Sequence, residues 1–267
     1  MTEISSPIYG TIPDVLYKYR SWTDPYQKSI LTEQEIFLSS PRRFNDPYDC
    51  RIPVRYDLMT DEEMIERNAD MFAVVNPNMP NSEIQILAKK AFDDETLWCK
   101  SKLAKQGEDY FEKLHGTVGV VSLSSIRNNT LMWSHYADSH RGFCVGFHSE
   151  LLFDTGHFGS GQKVDYCDEL PVILPTREDG LQIVKQIYSK ESKWEYEKEY
   201  RLTTMHSADK AVKIQIEAYK EVILGGRMLK EQKDEIISVI KNQLPHVEIY
   251  QVQYPGEAFD IEIIPVN

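Results

Sequence analysis

Cysteine is sparse in this chain. Its 267 residues hold four, Cys50, Cys99, Cys144 and Cys167, far apart and with no Cys-x-x-Cys pair. That excludes a disulfide scaffold and fits reduced thiols. No apolar run approaches the roughly 18 residues a membrane helix needs. The N-terminus lacks the basic and apolar regions of a secretion signal, so a cytoplasmic location is expected. Positive charge is in deficit, 30 Lys and Arg against 42 Asp and Glu, for a net charge of −12. An acidic chain is not expected to bind nucleic acid non-specifically, because that binding rests on phosphate neutralisation. No internal repeat or low-complexity segment is visible. What remains is a globular chain long enough to bury a large core.

The first 13 residues, with Pro7, Gly10 and Pro13, read as a lead-in. Residues 15–20 read as a first strand. Asp24 before Pro25 reads as an N-cap and first helical position, for a helix reaching about Thr32. Residues 35–40 follow as a strand, 41–49 as a polar turn, and 51–56 as a short edge strand interrupted by Pro53. From 60 to 115 the pattern is helical. One helix opens on acids at 61–63, a break falls at 75–81, and a second periodic stretch runs from 82 to about 114.

Residues 117–125 and 143–147 are apolar strands that flank a short helix at 130–136. Further strands are expected at 163–166, 194–202, 211–216, 220–227, 247–252 and 259–264, with helices at 179–191 and 230–244. Helices and strands do not alternate strictly, which points to a mixed α+β fold with a mostly antiparallel sheet. The expected organisation is one domain over 1–267, carrying a helical insertion at 60–115.

The stretch 130–147 concentrates Trp133, His135, Tyr136, Asp138, His140 and Arg141 just before an apolar strand, the kind of place where sites occur. His135 is a candidate acid or base. His135, Asp138, His140 and Cys144 match no zinc spacing, so no metal is expected. Cys144 sits inside an apolar strand, where a thiol is inert packing. If 194–202 is a strand, Glu195, Glu197, Glu199 and Arg201 share one face. That row is either a solvated face or a site in which a carboxylate meets a cationic transition state while Arg201 grips a neighbour. Arg20 ends the first strand, and Ser122 and Ser124 alternate on another. Asn45 and Asp46 lie in the polar turn after Phe44.

Four blocks are together similar to a bacterial family called domain of unknown function 2971. They are Leu16-Tyr-Lys-Tyr-Arg20, Phe37-Leu-Ser-Ser-Pro-Arg-Arg-Phe-Asn-Asp-Pro-Tyr-Asp49, the run from Leu131 to Phe147, and Lys193-Trp-Glu-Tyr-Glu-Lys-Glu-Tyr-Arg201. The resemblance spans roughly residues 16 to 225. It implies relatives among bacterial abortive-infection and phage-defence proteins.

A second resemblance is to ADP-ribosyltransferases of the arginine–serine–glutamate type, through Arg20, Ser122-Leu-Ser124 and Glu197-Lys-Glu199 in that order. It implies an ADP-ribosyltransferase-like sheet core and NAD as substrate. By carry-over Arg20 would hold the dinucleotide phosphates, and Ser122 and Ser124 would support the nicotinamide pocket. Glu199 would stabilise the oxocarbenium-like ribose, and Glu197 would position the acceptor. Tyr19, Trp133 or Tyr136 would stack on nicotinamide.

The resulting expectation is an NAD-dependent ADP-ribosyltransferase or NAD glycohydrolase of the toxin or defence type. Its catalytic residues would be Glu199, Glu197 and His135, and its ligand-binding residues Arg20, Tyr19, Ser122, Ser124, Trp133, Tyr136, Asn45, Asp46 and Arg201. The partners would be a small-molecule nucleotide and an unknown macromolecular acceptor, with no membrane. Two alternatives stay open. One is a metal-independent phosphodiester hydrolase using His135 oriented by Asp46 or Asp138. The other is a non-enzymatic ligand-sensing module.

Overall fold

The computed structural model describes residues 3–6, 10–99, 102–174, 179–256 and 259–266. In chain order these form β1 (Glu3–Ser6), β2 (Gly10–Pro13), β3 (Val15–Arg20), α1 (Pro25–Thr32), β4 (Glu35–Leu38), α2 (Asp61–Val75), α3 (Asn81–Asp93), α4 (Leu103–Thr117), β5 (Gly119–Ser124), α5 (Thr130–Tyr136), β6 (Phe143–His148), α6 (Ser149–Phe153), β7 (Ser160–Lys163), β8 (Asp165–Cys167), α7 (Asp179–Tyr188), β9 (Ser189–Glu191), β10 (Glu199–Thr204), β11 (Lys210–Lys213), β12 (Tyr219–Leu224), α8 (Lys230–Gln243), β13 (Glu248–Gln253) and β14 (Glu262–Pro265). The fold is mixed α+β, with a large and mostly antiparallel sheet, as the sequence pattern leads one to expect. Among the described residues no helix is long and apolar enough to cross a membrane.

The chain divides into two compact units. The first comprises Met1–Phe44, Gly116–Asp168 and Lys190–Asn267, and the second Asn45–His115 and Glu169–Ser189.

The first unit is built on an eight-stranded sheet in the order β14-β13-β12-β6-β3-β5-β10-β7. Of its neighbours only β12 and β13 run parallel, and α8 makes the crossover between them. Alternation along β3 sends Leu16 into one apolar cluster with Leu31, Phe147 and Ile236. It sends Tyr17 and Tyr19 into another with Trp133, Cys144 and Ile223. β3 pairs with β6 over six residues, and β5 pairs with β10 over six. Between β3 and β5, however, the ladder holds a single pair, Tyr17 with Ser124. Beyond it the strands part, and Val120 of β5 takes both its backbone hydrogen bonds from Ser39. The sheet is thus split along half of its β3–β5 seam. Lys18 reaches across the seam and donates its ammonium to the Ser122 carbonyl.

The polar turn singled out in the sequence is a scaffold. Asp138, Ser139 and His140 are three successive left-handed residues, with φ of 48, 53 and 69°. This tight reversal lets the chain press against its neighbours. A Cβ on Gly142 would lie 2.1 Å from the Arg20 carbonyl oxygen, and one on Gly225 2.2 Å from that of His140. Gly142→Ala therefore forces backbone against backbone. It is expected to cost about 3 kcal/mol or more, at the upper end for overpacking, and to lower the melting temperature by roughly 6–12 °C in circular dichroism.

In the second unit α2 and α3 pack through Ala69, Ile84 and Ala88. α2 opens on a capping box, with Thr60 accepting from the Glu63 N–H and Glu63 accepting from the Thr60 N–H. Fully buried Asn68 holds both the N–H and the carbonyl of Trp98. The Gln186 side chain does the same for Ile52.

Several elements differ from the sequence expectation. Residues 194–202 are not one strand: Ser192–Glu197 is a 3-10 helix and the strand starts at Glu199. The expected edge strand at 51–56 is only an isolated bridge, Val54 with Ile173, because Pro53 cannot donate to a ladder. The lead-in contains a hairpin, β1 with β2. The long helix expected over 82–114 is two, α3 and α4, broken after Asp93 where Glu95 turns left-handed. Helix α7 stops at Tyr188 instead of 191.

Candidate functional site

Several buried polar groups of the first unit gather around one ammonium. Lys190 Nζ donates to Glu197 Oε2 at 2.5 Å and to Glu199 Oε2 at 3.2 Å. Arg201, with no exposed side-chain surface, grips Glu199 through both oxygens, Nε to Oε1 at 2.8 Å and Nη2 to Oε2 at 3.0 Å. Tyr136 donates its hydroxyl to Glu197 Oε1 at 2.5 Å. Ser122 also bonds the Glu199 carboxylate. The Tyr166 hydroxyl accepts the Glu199 N–H at 2.8 Å.

Local backbone explains the convergence. The 3-10 helix ends at Lys198, whose left-handed φ of 45° turns the chain into β10. Register then sets Glu199 opposite Ser124 and Arg201 opposite Ser122. Ser124 Oγ donates to the Glu197 carbonyl at 2.6 Å and accepts the Ile126 N–H, fixing the backbone of the turn. Glu195, expected on the same face, instead lies on the exposed side of the 3-10 helix and pairs with Lys198.

The two carboxylates are pushed in opposite directions. Burial alone would raise Glu199, but the Arg201 guanidinium, Lys190 and the Ser122 bond hold it well below the usual carboxylate range. Burial raises Glu197, and the charge of Glu199 adds to that, against a partial pull downward from Lys190 and Tyr136. One neighbour is therefore firmly ionised while the other is inclined to hold a proton, the pattern of an acid–base pair. On the adjacent seam, burial and nearby Arg20 and Arg201 hold Lys18 well below the normal lysine range, although Glu199 and Glu197 favour its charge. Arg20 is lowered to about 10 by burial, with Asp24 opposing.

An aromatic rim borders the pair. The Trp194 ring lies 4.9 Å from Lys190 Nζ and 6.1 Å from the Tyr196 ring, which in turn lies 6.2 Å from His135. Tyr136→Phe would remove one of the two short bonds to Glu197. An expected loss of about 1.5–3 kcal/mol follows for a hydrogen bond to a charged group. Because that hydroxyl favours the anion, the loss should be larger at high pH than at low, which urea unfolding at two pH values would measure.

Of the residues singled out in the sequence, Glu197, Glu199, Arg201, Ser122, Ser124 and Tyr136 come together. Arg20 stands two residues along β3 from Lys18, its first electrostatic neighbour being Asp24. Tyr19 and Trp133 are core residues, 3% and 0% exposed, packed edge to face with centroids 5.3 Å apart. Their polar ends bond the Ile126 and Arg127 carbonyls. Neither ring offers a free face, which corrects the idea that they stack on a ligand. His135 is exposed and makes ring contacts but no hydrogen bond among the described residues. Asp138 pairs with Arg141, and His140 Nε2 lies 3.0 Å from Ser134 Oγ. Asn45 and Asp46 belong to the second unit, where Asp46 accepts the Tyr48 N–H in a local turn. Burial puts the Cys144 thiol well above its ordinary value. No group of three or more His, Cys, Asp or Glu among the described residues is placed to hold a metal ion.

Sequence reasoning missed Lys190, Lys18 and Tyr166. Lys190 lies seven and nine residues before its partners, in a stretch that reads as the end of a helix, so nothing in the local pattern marks it. Lys18 does carry a signal, a lysine between two buried tyrosines on a strand.

The fold and the cluster define an α+β protein with a buried, hydrogen-bonded carboxylate pair beside a split sheet. Residues 132–202, from α5 into β10, match the family described as Protein of unknown function (DUF2971). That span includes Tyr136, Lys190, both glutamates and Arg201. No curated protein and no solved structure matches the chain.

Proposed function

We propose that this chain cleaves the nicotinamide–ribose bond of NAD and passes ADP-ribose to a macromolecule or to water. The observation that carries the reading is the pair Glu197 and Glu199, bridged by Lys190 and pushed in opposite directions in their hold on a proton. As the C1′–N bond breaks, its electron pair goes to the nicotinamide nitrogen, which becomes neutral, and positive charge develops on the ribose. Ionised Glu199, locked by Arg201, is a preorganised counter-charge for it. The acceptor O–H then adds to C1′ and its proton goes to Glu197, whose raised affinity suits a base that must keep it.

Ser122 sits on the strand next to the pair. Arg20, at the parted seam, supplies positive charge for the diphosphate. The half-exposed rim of Tyr136, Trp194 and Tyr196 takes the stacking role first expected of Tyr19 and Trp133. The order Arg20, Ser122, Glu197, Glu199 is that of the arginine–serine–glutamate ADP-ribosyltransferases.

The hydrolase reading built on His135 has less support, since no carboxylate orients that ring among the described residues. NAD depletion would give the toxin or defence effect expected of abortive-infection relatives. The test is nicotinamide release from NAD by purified protein, with RNA and DNA cleavage assayed in parallel. Release without nuclease activity is expected. No release and no NAD binding overturns the proposal.

A further inference from the structure

A recess in the first unit, away from the carboxylate pair, has a different chemistry. It encloses about 330 Å³ between the start of β3, the segment after β5 and the first residues of β12 and β13. That volume is at the small end for ligand pockets. Its floor is the Glu221 carboxylate, whose two oxygens both accept from Arg127 Nη1, at 2.8 and 2.7 Å, and which Tyr17 also bonds. The floor depends on Gly146, where a Cβ would meet Glu221 Cγ at 2.8 Å and Tyr17 Cε1 at 2.9 Å.

Arg127 is held by Glu221 and lies 5.3 Å over the Tyr250 ring. Its Nε and Nη2 have no partner among the described residues. Lys220 also lines the recess, paired with Asp14 at 3.0 Å. Arg127 and Lys220 are thus balanced by Glu221 and Asp14, and Glu248 is left over, bonded among the described residues by the Tyr250 hydroxyl alone, at 3.1 Å. Register places Glu248 directly beside Glu221 on the parallel neighbour strand, about 4.8 Å away.

A purely anionic ligand would be opposed by Glu248, and a purely cationic one would leave the unpartnered edge of Arg127 without an acceptor. A small molecule with a carboxylate and an ammonium on neighbouring atoms satisfies both: carboxylate to the unused edge of Arg127, ammonium to Glu248, and side chain against Tyr17 and Tyr250. We infer that this recess binds a free α-amino acid. The inference stands apart from the NAD reading and uses none of its residues.

The test is calorimetric titration of the full chain with each of the twenty amino acids. The best binder is then compared with its deaminated acid and its decarboxylated amine. At least one amino acid is expected to bind with Kd at or below about 1 mM, and each truncated analogue about tenfold or more weaker, roughly 1.4 kcal/mol. Glu248→Gln, at an exposed position, should weaken the amino acid about tenfold and leave the deaminated acid unchanged or improved. No binding by any amino acid at about 10 mM, or equal binding of an analogue lacking either charge, overturns the inference.

Discussion

Glu199→Gln is expected to lower nicotinamide release from NAD by roughly two to three orders of magnitude, the scale for losing one preorganised electrostatic group. The substitution keeps the shape and removes the charge. Stability must be measured alongside, because Arg201 is wholly buried and Lys190 nearly so. Breaking a buried pair by removing one partner costs about 3–5 kcal/mol. Glutamine retains an acceptor for Arg201, so the lower figure is expected, visible as a melting shift of roughly 6–12 °C. Glu197→Gln separates the two effects. Burial makes the Glu197 charge costlier to keep than an exposed one, so its amide is expected to be better tolerated in the fold than that of Glu199. It cannot accept a proton, so transfer to the acceptor should slow while NAD binding stays. Full nicotinamide release by folded Glu199→Gln would remove the catalytic role argued for it.

Lys190→Met is expected to be the most damaging single change to stability, and its effect should depend on pH. Near neutral pH it leaves Glu197 and Glu199 both buried, with Arg201 still paired to Glu199 and Glu197 without its ammonium partner, at a cost of about 3–5 kcal/mol. A carboxylate whose folded pKa lies above its unfolded value binds its proton more tightly in the folded chain. Stability therefore falls as pH rises from the unfolded value through the folded one. Without Lys190 the Glu197 pKa rises further, since that ammonium is the largest influence holding it down. The deficit should therefore shrink as pH falls and Glu197 takes up its proton. Glu199, held down first by Arg201, contributes stability that is lost as pH falls below the ordinary glutamate value toward its own much lower one. Urea unfolding of wild type and variant from about pH 8 to about pH 5 measures this. A deficit that stays constant across that range would show that Lys190 is not the counter-charge of Glu197.

Much of the fold is legible in local pattern. Asp24 before Pro25 marks the start of α1 because a carboxylate caps the N–H of Tyr26 and proline needs no partner. Apolar 143–147 reads as a buried strand, and β6 lies between β3 and β12 at the centre of the sheet. Where reading failed, a single backbone angle decided. Residues 194–202 alternate as a strand does, yet left-handed Lys198 ends a 3-10 helix there. The glutamate spacing survives that error, because Glu197 and Glu199 still reach one ammonium, while Glu195 does not.

By itself the sequence determined the α+β class and the central strands, and it singled out the two glutamates with Arg201 and Ser122 as candidates. These follow from short-range chemistry: hydrophobic period, capping and alternation along one strand. Only the tertiary structure decided that Lys190 joins the carboxylates and that Lys18 spans a seam where β3 and β5 part. It alone showed that Tyr19 and Trp133 are core and that Asp138 to His140 form a strained support. Each of those depends on which distant strand lies alongside, and on how burial weighs charge against charge, quantities that no local run of residues carries.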